Sequence, residues 1–320
     1  MNQLPFETIH RKVLIKREAV RNFGINPEDR DTKTLINYGI VNIDKPSGPT
    51  SHQISDYVKR ILKISKAGHS GTLDPHVTGV LPVALARATR VVQILLSAGK
   101  EYVALMYLHR PIEEIKIRKA FDKFTGKIMQ KPPVKSAVRR INRPRKIYYI
   151  DIIEIQGQNI LFKIGCQAGT YIRKYIHDLG QKLGCGAHMV QLRRTRVAAF
   201  DESTLTTLHD LTDAFHYYKN ENNDKFIRKI IQPMENAVRH IPKVWVLDTT
   251  IMTLTHGRDL AVPGISKIES CIKPNNITAI MTLKGELIGL GIAQMTSEDI
   301  IKKDRGIAFK TDKVFMQEIN

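Results

Sequence analysis

The chain has 320 residues, 42% of them hydrophobic, enough for a substantial core and, by length, for about two or three domains. Its 50 Lys and Arg outnumber 31 Asp and Glu, giving a net charge of +19 and a pI near 9.8. A polyanionic partner is the first expectation, with solvated lysines on a basic enzyme as the plainer alternative. No stretch reaches the roughly 18 apolar residues of a membrane span, since the run at 277–295 is broken by Lys284 and Glu286. The charged first twenty residues lack the apolar core of a secretory signal. Three scattered cysteines, Cys166, Cys185 and Cys271, form no CxxC pair and point to a reducing compartment inside the cell.

Residues 1–38 are polar and charged, with a turn-prone stretch from Asn26 to Asp31, and read as an extension that packs on another domain. From Gly39 a short β-rich run, a Pro/Gly loop and a helix starting near Ser51 follow one another, holding the loop Lys45 to Thr50 between ordered elements. Val83, Leu85, Val91, Val92, Leu95 and Leu96 recur in a pattern compatible with a helix over 82–98, stopped by Gly99. Tyr102 opens a strand-like run. Between Lys123 and Ile150 stand nine basic and no acidic residues, broken by Pro132, Pro133 and Pro144, which predicts an exposed basic loop or hairpin. The runs 147–155 and 159–166, separated by Gln156-Gly157-Gln158, read as a hairpin. Ile172, Ile176, Leu179 and Leu183 then recur at helical spacing, with Thr170 as the expected N-cap. Past Pro233 to Pro242 short strands and glycines predict a small β domain.

Several catalytic machineries are missing. There is no GxxxxGK[ST] loop, no GxGxxG after a strand and no HExxH, which argues against nucleotide hydrolysis, hydride transfer and zinc proteolysis. No histidine spacing offers a structural zinc site, so no metal is expected. The conspicuous segment is AGHSGTLDPHVTGVLPVALARATR at 67–90, where Asp74 is the one carboxylate in an apolar setting. An Asp before Pro is commonly a turn-former, and His69 and Thr72 have the parallel alternative of bonding the loop.

The segment HSGTLDPHVTGVL resembles the catalytic-aspartate motif of TruB/dyskerin pseudouridine synthases. DKPSGPTS at 44–51, KEYVA at 100–104, CQAGTYIRKYIHDLG at 166–180 and GCGAHMVQLRRTR at 184–196 resemble that family's other motifs, in the same order. The C-terminal THGRDLAVPGI and MTLKGELIGLGIAQM resemble its PUA domain. The resemblance implies an α+β pseudouridine synthase fold with a mixed, mainly antiparallel central sheet and flanking helices over 39–240, plus a small β-barrel-like PUA domain at 243–320. It implies Asp74 as the nucleophile during cleavage of the glycosidic bond, paired with Arg173, whose charge favours the carboxylate in a pocket that would otherwise protonate it. Tyr102 would stack on the flipped base, Leu192 would wall the pocket, and His69 would lie near the extruded nucleotide. Lys45 and Pro46 would shape the pocket floor, or be a solvated lysine and a rigid turn. Tyr171 would touch substrate or serve as a core aromatic. Cys166 reads as buried and inert. The reaction is an isomerisation without net redox change, so no cofactor is expected.

The charged extension, SAGKEYVALMYLH, QKPPVKSAVRR and the long C-terminus resemble the archaeal and dyskerin branch, without the lysine-rich tail of eukaryotic members. That branch implies the catalytic subunit of a guide-directed H/ACA ribonucleoprotein acting on rRNA and possibly tRNA. Its partners would be guide RNA, target RNA, a small Nop-type protein, a Gar-type protein and a kink-turn-binding ribosomal-like protein. The place would be an archaeal cytosol, or a nucleolus in a eukaryote, and no membrane is involved. Lys135, Arg139 and Arg140 would hold substrate RNA, and Gly257 and Arg258 the guide. Two departures from the family pattern are His76, where Lys is common, and Arg258, where a small residue is common. The alternatives are a stand-alone synthase for the tRNA T-loop and a non-catalytic RNA scaffold.

Overall fold

The computed structural model describes residues 3–132 and 139–316, arranged as two sheets with helices on their flanks. The extension carries strand β1 (Val13–Ile15) and helix α1 (Thr32–Asn37), which is capped by Asp31 accepting from the Thr34 amide. Strand β2 (Gly39–Lys45) leads through the Pro/Gly loop into α2 (Ser51–Ile61). Thr50 and Gln53 close a capping box there, satisfying two amides that the first turn leaves open. Next come β3 (Ala67–His69), β4 (Thr78–Leu85), α3 (Val92–Ser97) and β5 (Lys100–Leu108). Helix α4 (Glu114–Lys123) precedes β6 (Gly126–Gln130), β7 (Arg143–Gln156) and β8 (Asn159–Cys166), followed by α5 (Ile172–Lys182) and β9 (Ala187–Val197). Helices α6 (Leu208–Asn220) and α7 (Lys225–Ile230) and strand β10 (Ile231–Pro233) close this part.

These strands form a nine-stranded sheet in the order β10-β2-β4-β9-β5-β8-β7-β6, with β3 also on β4. Every pairing is antiparallel except β4 with β9, where Thr78 faces Arg193 and Gly79 faces Arg194. Helices α4 and α5 cover one face, packing Ile117, Phe121, Ile172, Tyr175 and Ile176 against Ala104, Met106, Phe162 and Ile164. The basic stretch lies on the hairpin β6–β7 and its connection.

Two local expectations fail. Residues 82–85 are strand, a 3-10 helix follows over Ala86–Val91, and α-helix begins only at Val92. Strand β4 is buried from Gly79 to Leu85, so its apolar run has no alternation to distinguish it from a helix. Thr170 does not cap α5; its hydroxyl donates to the Gln167 carbonyl at 2.7 Å, and Tyr171 occupies the cap position, from which no side chain caps the first turn.

The C-terminal sheet uses β11 (Lys243–Val246), β12 (Leu260–Ala261), β13 (Ile265–Glu269), β14 (Ile277–Met281), β15 (Leu287–Ala293) and β16 (Ile307–Val314). Helices α8 (Asp248–Thr255) and α9 (Ser297–Lys302) interrupt it, and β1 joins its edge beside β13. The two lobes share one apolar cluster, in which Ile40, Ala88, Leu95 and Met234 meet Met281, Leu287, Leu290 and Phe315. A buried charge network crosses the same junction. Arg30 grips Glu235 through both terminal nitrogens at 2.9 and 2.8 Å and reaches Glu286 at 3.4 Å.

Candidate active site

The loop from Ser70 to Val77 connects β3 to β4, and neighbouring backbone and side chains tie it down along its length. Ser51, at the start of α2, accepts from the Leu73 amide at 2.8 Å and donates to the Leu73 carbonyl at 3.3 Å. The Gly48 amide donates to the Pro75 carbonyl at 2.9 Å. Lys45 is fully buried, and its ammonium donates to the carbonyls of Pro46, Pro75 and Val77 at 2.9, 2.8 and 2.9 Å. All three ammonium protons are thereby engaged. Lys45 is therefore neither solvated nor available to a substrate; it staples the loop, while Pro46 is exposed. Burial, followed by the Arg194 charge, pulls the Lys45 ammonium below its ordinary range, and Asp74 opposes the shift.

Asp74 stands at the crest of this loop. Arg173, on the first turn of α5, donates to its Oδ2 at 2.8 Å across 99 residues of sequence. The side chains are 56% and 59% exposed, so the pair sits at an open mouth, and the apolar enclosure expected around the carboxylate is absent in the free chain. An exposed ion pair contributes little to stability. What the geometry provides is an oriented carboxylate that an entering nucleotide can reach.

Beneath the mouth the site is closed. Tyr102 on β5 is 8% exposed and packs with Leu73 and Val77, and Leu192 borders the same cluster. Burial holds the Tyr102 phenol above its ordinary range, partly offset by Arg194. His69 ends β3 and accepts from the Gly71 amide through Nδ1 at 3.3 Å; burial, then the charges of Arg194 and His52, lowers its imidazole, which favours the neutral ring. Tyr171 is half-buried, and its backbone exchanges hydrogen bonds with the Gln130 side chain at 3.1 and 3.2 Å. Cys166 is buried, and burial pushes its thiol up to about 12.

Two residues that sequence reasoning missed complete the floor. Arg194 on β9 is 1% exposed and donates to the carbonyls of Val80 at 2.8 Å and Gly71 at 3.3 Å. Lys100 donates to the carbonyls of Leu95, Leu96 and Ala98 at 2.9, 3.0 and 2.8 Å, and burial draws its ammonium down to about 7. In the run LRRTR nothing separates an inward arginine from a solvated one; only the parallel pairing of β4 with β9 turns Arg194 under the loop.

The remaining expected RNA contacts lie elsewhere. Arg139 and Arg140 are exposed after the basic hairpin strand, with Arg140 donating to the Pro132 carbonyl at 3.2 Å, and Lys135 falls outside the described residues. Gly257 takes a φ of +79° after α8, and exposed Arg258 follows it. His76 is exposed beside Asp74. Among the described residues no cluster of His, Cys, Asp and Glu could hold a metal ion, and no helix is long and apolar enough to cross a membrane.

Comparisons with known proteins converge on one family. Residues 59–114 and 109–172 match the TruB family pseudouridylate synthase N-terminal domain, and 173–239 the tRNA pseudouridylate synthase B C-terminal domain. Residues 3–55 match the DKCLD domain and 242–315 the PUA domain. The chain is 54% identical to a probable tRNA pseudouridine synthase B of Thermococcus kodakarensis over 96% of its own length and 92% of the relative's. Identity to the protein of the same description from Methanopyrus kandleri is 47%, over 98% and 94%. Among solved structures, it superimposes on a chain of a Cbf5-Nop10-Gar1 complex with a TM-score of 0.94 and 53% identity, covering 99% and 97% of the two chains. A chain of an H/ACA RNP bound to a substrate RNA containing 2'-deoxyuridine gives a TM-score of 0.92 and 51% identity, covering 98% and 97%.

Proposed function

We propose, for a chain that belongs to the TruB/dyskerin family of RNA pseudouridine synthases, that Asp74 is the nucleophile and that a guide RNA selects the uridine it acts on. The observation that carries the reading is the exposed Asp74–Arg173 contact of 2.8 Å, on a loop whose Leu73 and Val77 share one apolar cluster with Tyr102. Isomerisation breaks the bond from the ribose to a ring nitrogen and forms one to a ring carbon, with a proton leaving the carbon and one gained by the nitrogen. The residues present suit these demands. Asp74 supplies the anion, Arg173 orients it, Tyr102 and Leu192 offer ring and apolar surface to an extruded base, and the incoming RNA covers a mouth that is open without it. The basic connection bearing Arg139 and Arg140 would hold the target strand, and the turn at Gly257 and Arg258 the guide.

The guide-directed reading rests on likeness over nearly the whole chain to proteins solved with Nop10, with Gar1 and in an H/ACA RNP. By that likeness this chain would assemble with a Nop-type and a Gar-type protein, a kink-turn-binding protein and guide RNA. The description of its archaeal relatives as probable tRNA pseudouridine synthases favours a second reading, modification of tRNA without a guide. The two are separated by incubating the chain, with and without the Nop-type and Gar-type proteins and a matched guide, with a guide-complementary RNA and with a tRNA T-loop. Pseudouridine in the complementary RNA only when the guide is present supports the first. Guide-independent modification confined to the T-loop supports the second.

A further inference from the structure

Strand β9 resets the alternation of its side chains at one point beneath the site. Consecutive strand residues point to opposite faces, so Arg194 and Arg196 would share a face in a regular strand. Here Arg194 stands opposite Tyr102 and Arg196 opposite Glu101, neighbours on β5 that face opposite ways, and Thr195 has no partner in the register. Thr195 is therefore the extra residue of a β-bulge. The bulge decides which residues of β9 look toward the pocket. Leu192 pairs with Ala104 and Arg194 with Tyr102, so both stand on the face that Tyr102 and Ala104 share. Without the bulge Tyr102 would meet Thr195 and Ala104 would meet Arg193, with Leu192 and Arg194 turned to the other face.

A buried carboxylate holds the bulge. Glu101, 6% exposed, accepts from the Thr195 hydroxyl at 2.7 Å on one oxygen and from the Tyr149 hydroxyl at 2.5 Å on the other. Tyr149 comes from β7, across β8, and passes over Gly165, where a Cβ would lie 2.3 Å from its ring. Just past the bulge, Arg196 meets the Glu7 carboxylate of the extension through both terminal nitrogens. Two hydroxyls thus end on one carboxylate, but only that of Thr195 belongs to the bulge. We infer that Thr195 and Glu101 are positioning residues for the isomerisation: the carboxylate pins the bulge, and the bulge sets Leu192 and Arg194 on the face of Tyr102. This rests on the assignment of the site to Asp74 and Tyr102.

The test measures single-turnover rate at saturating target RNA, RNA affinity and thermal midpoint in the guide-programmed complex, with rates taken well below every midpoint. Thr195→Val keeps the branched shape and removes the hydroxyl, and is expected to slow the reaction about tenfold with affinity unchanged. Thr195→Ser keeps the hydroxyl and is expected to stay within about threefold of native. Tyr149→Phe takes the other hydroxyl from the same carboxylate without touching the bulge, and is expected to lower the midpoint while the rate stays within about twofold of native. A merely structural role would lower midpoints and spare the rates of all three. Native-like turnover by Thr195→Val would overturn the inference, and so would an equal slowing by Tyr149→Phe. Should Thr195→Val fail to fold, Thr195→Ser and Thr195→Ala, which differ in that hydroxyl alone, decide in the same way: equal rates overturn it. An active Asp74→Asn in the same assay removes the parent reading and this one together, whereas an inactive one beside a fast Thr195→Val removes only the pin.

Discussion

Two ion pairs in this molecule use the same chemistry in opposite surroundings. Arg30 and Glu235 face each other with side chains 5% and 9% exposed, at the junction of the extension and the two lobes. Arg173 and Asp74 face each other at the same 2.8 Å with side chains 59% and 56% exposed. The buried pair is bound into its surroundings: Glu235 also accepts from the Leu287 amide at 3.0 Å, and Glu286 from the Ile25 amide at 3.0 Å. Losing one member there strands a desolvated charge. The exposed pair holds little of the fold and is open to a ligand. A contact distance alone therefore does not say what a salt bridge does; its access to solvent does.

The comparison breaks most visibly at Arg30. Arg30→Met leaves Glu235 and Glu286 buried without their cation and is expected to cost about 3–5 kcal/mol of stability. In urea unfolding this appears as a lower midpoint, while pseudouridine formation below the transition stays within about twofold of native. An unchanged midpoint would make the network dispensable.

At the exposed pair the effect moves from stability to rate. Arg173→Lys is expected to slow the reaction on the order of a hundredfold, because an ammonium keeps the charge without the fork that orients Asp74. Its midpoint is expected to match the native chain. Native-like turnover would mean that the pair does not position the carboxylate.

A smaller effect concerns His240, half-buried beneath the extension, where Phe6 packs edge-on at 6.1 Å. Burial, then the charges of Lys100 and Lys243, pushes its imidazole down to about 4, below an unfolded value of 6.5. Above pH 6.5 neither state holds the proton and the stability is complete. As pH falls toward 4 the unfolded chain binds the proton first and stability is lost, by about 2–3 kcal/mol at most. Unfolding the native chain and His240→Phe at neutral pH and near pH 4.5 is expected to show the larger loss in the native chain. Equal losses would contradict the shift.

Sequence legibility followed the same division. The helix after the Pro/Gly loop, the strand at Tyr102 and the hairpin ending at Cys166 carry local signals, namely the Pro/Gly loop itself, a short apolar run behind the Gly99 stop and the break Gln156-Gly157-Gln158 between two β-rich runs, and they fold as expected. Strand β4 was obscured because burial on both faces removes alternation. The shared core of the two lobes was not legible either, since Met281 and Leu290 read as interior positions of a small β domain and nothing local says that they also meet Leu95 and Met234. At the site, Asp74 stood out as a lone carboxylate among small residues. The buried cations Lys45, Lys100 and Arg194 did not, because a lysine or arginine that ends on backbone carbonyls looks in sequence like one that ends in water.

The most direct test of the exposed carboxylate as the reacting group is Asp74→Asn, with single-turnover rate, RNA affinity and thermal midpoint measured on one preparation. The change preserves size and removes the anion. A rate loss on the order of a thousandfold or more, with affinity and midpoint near native, is the predicted result. A variant that still converts uridine at a comparable rate, or one that loses its midpoint together with its activity, would contradict the account.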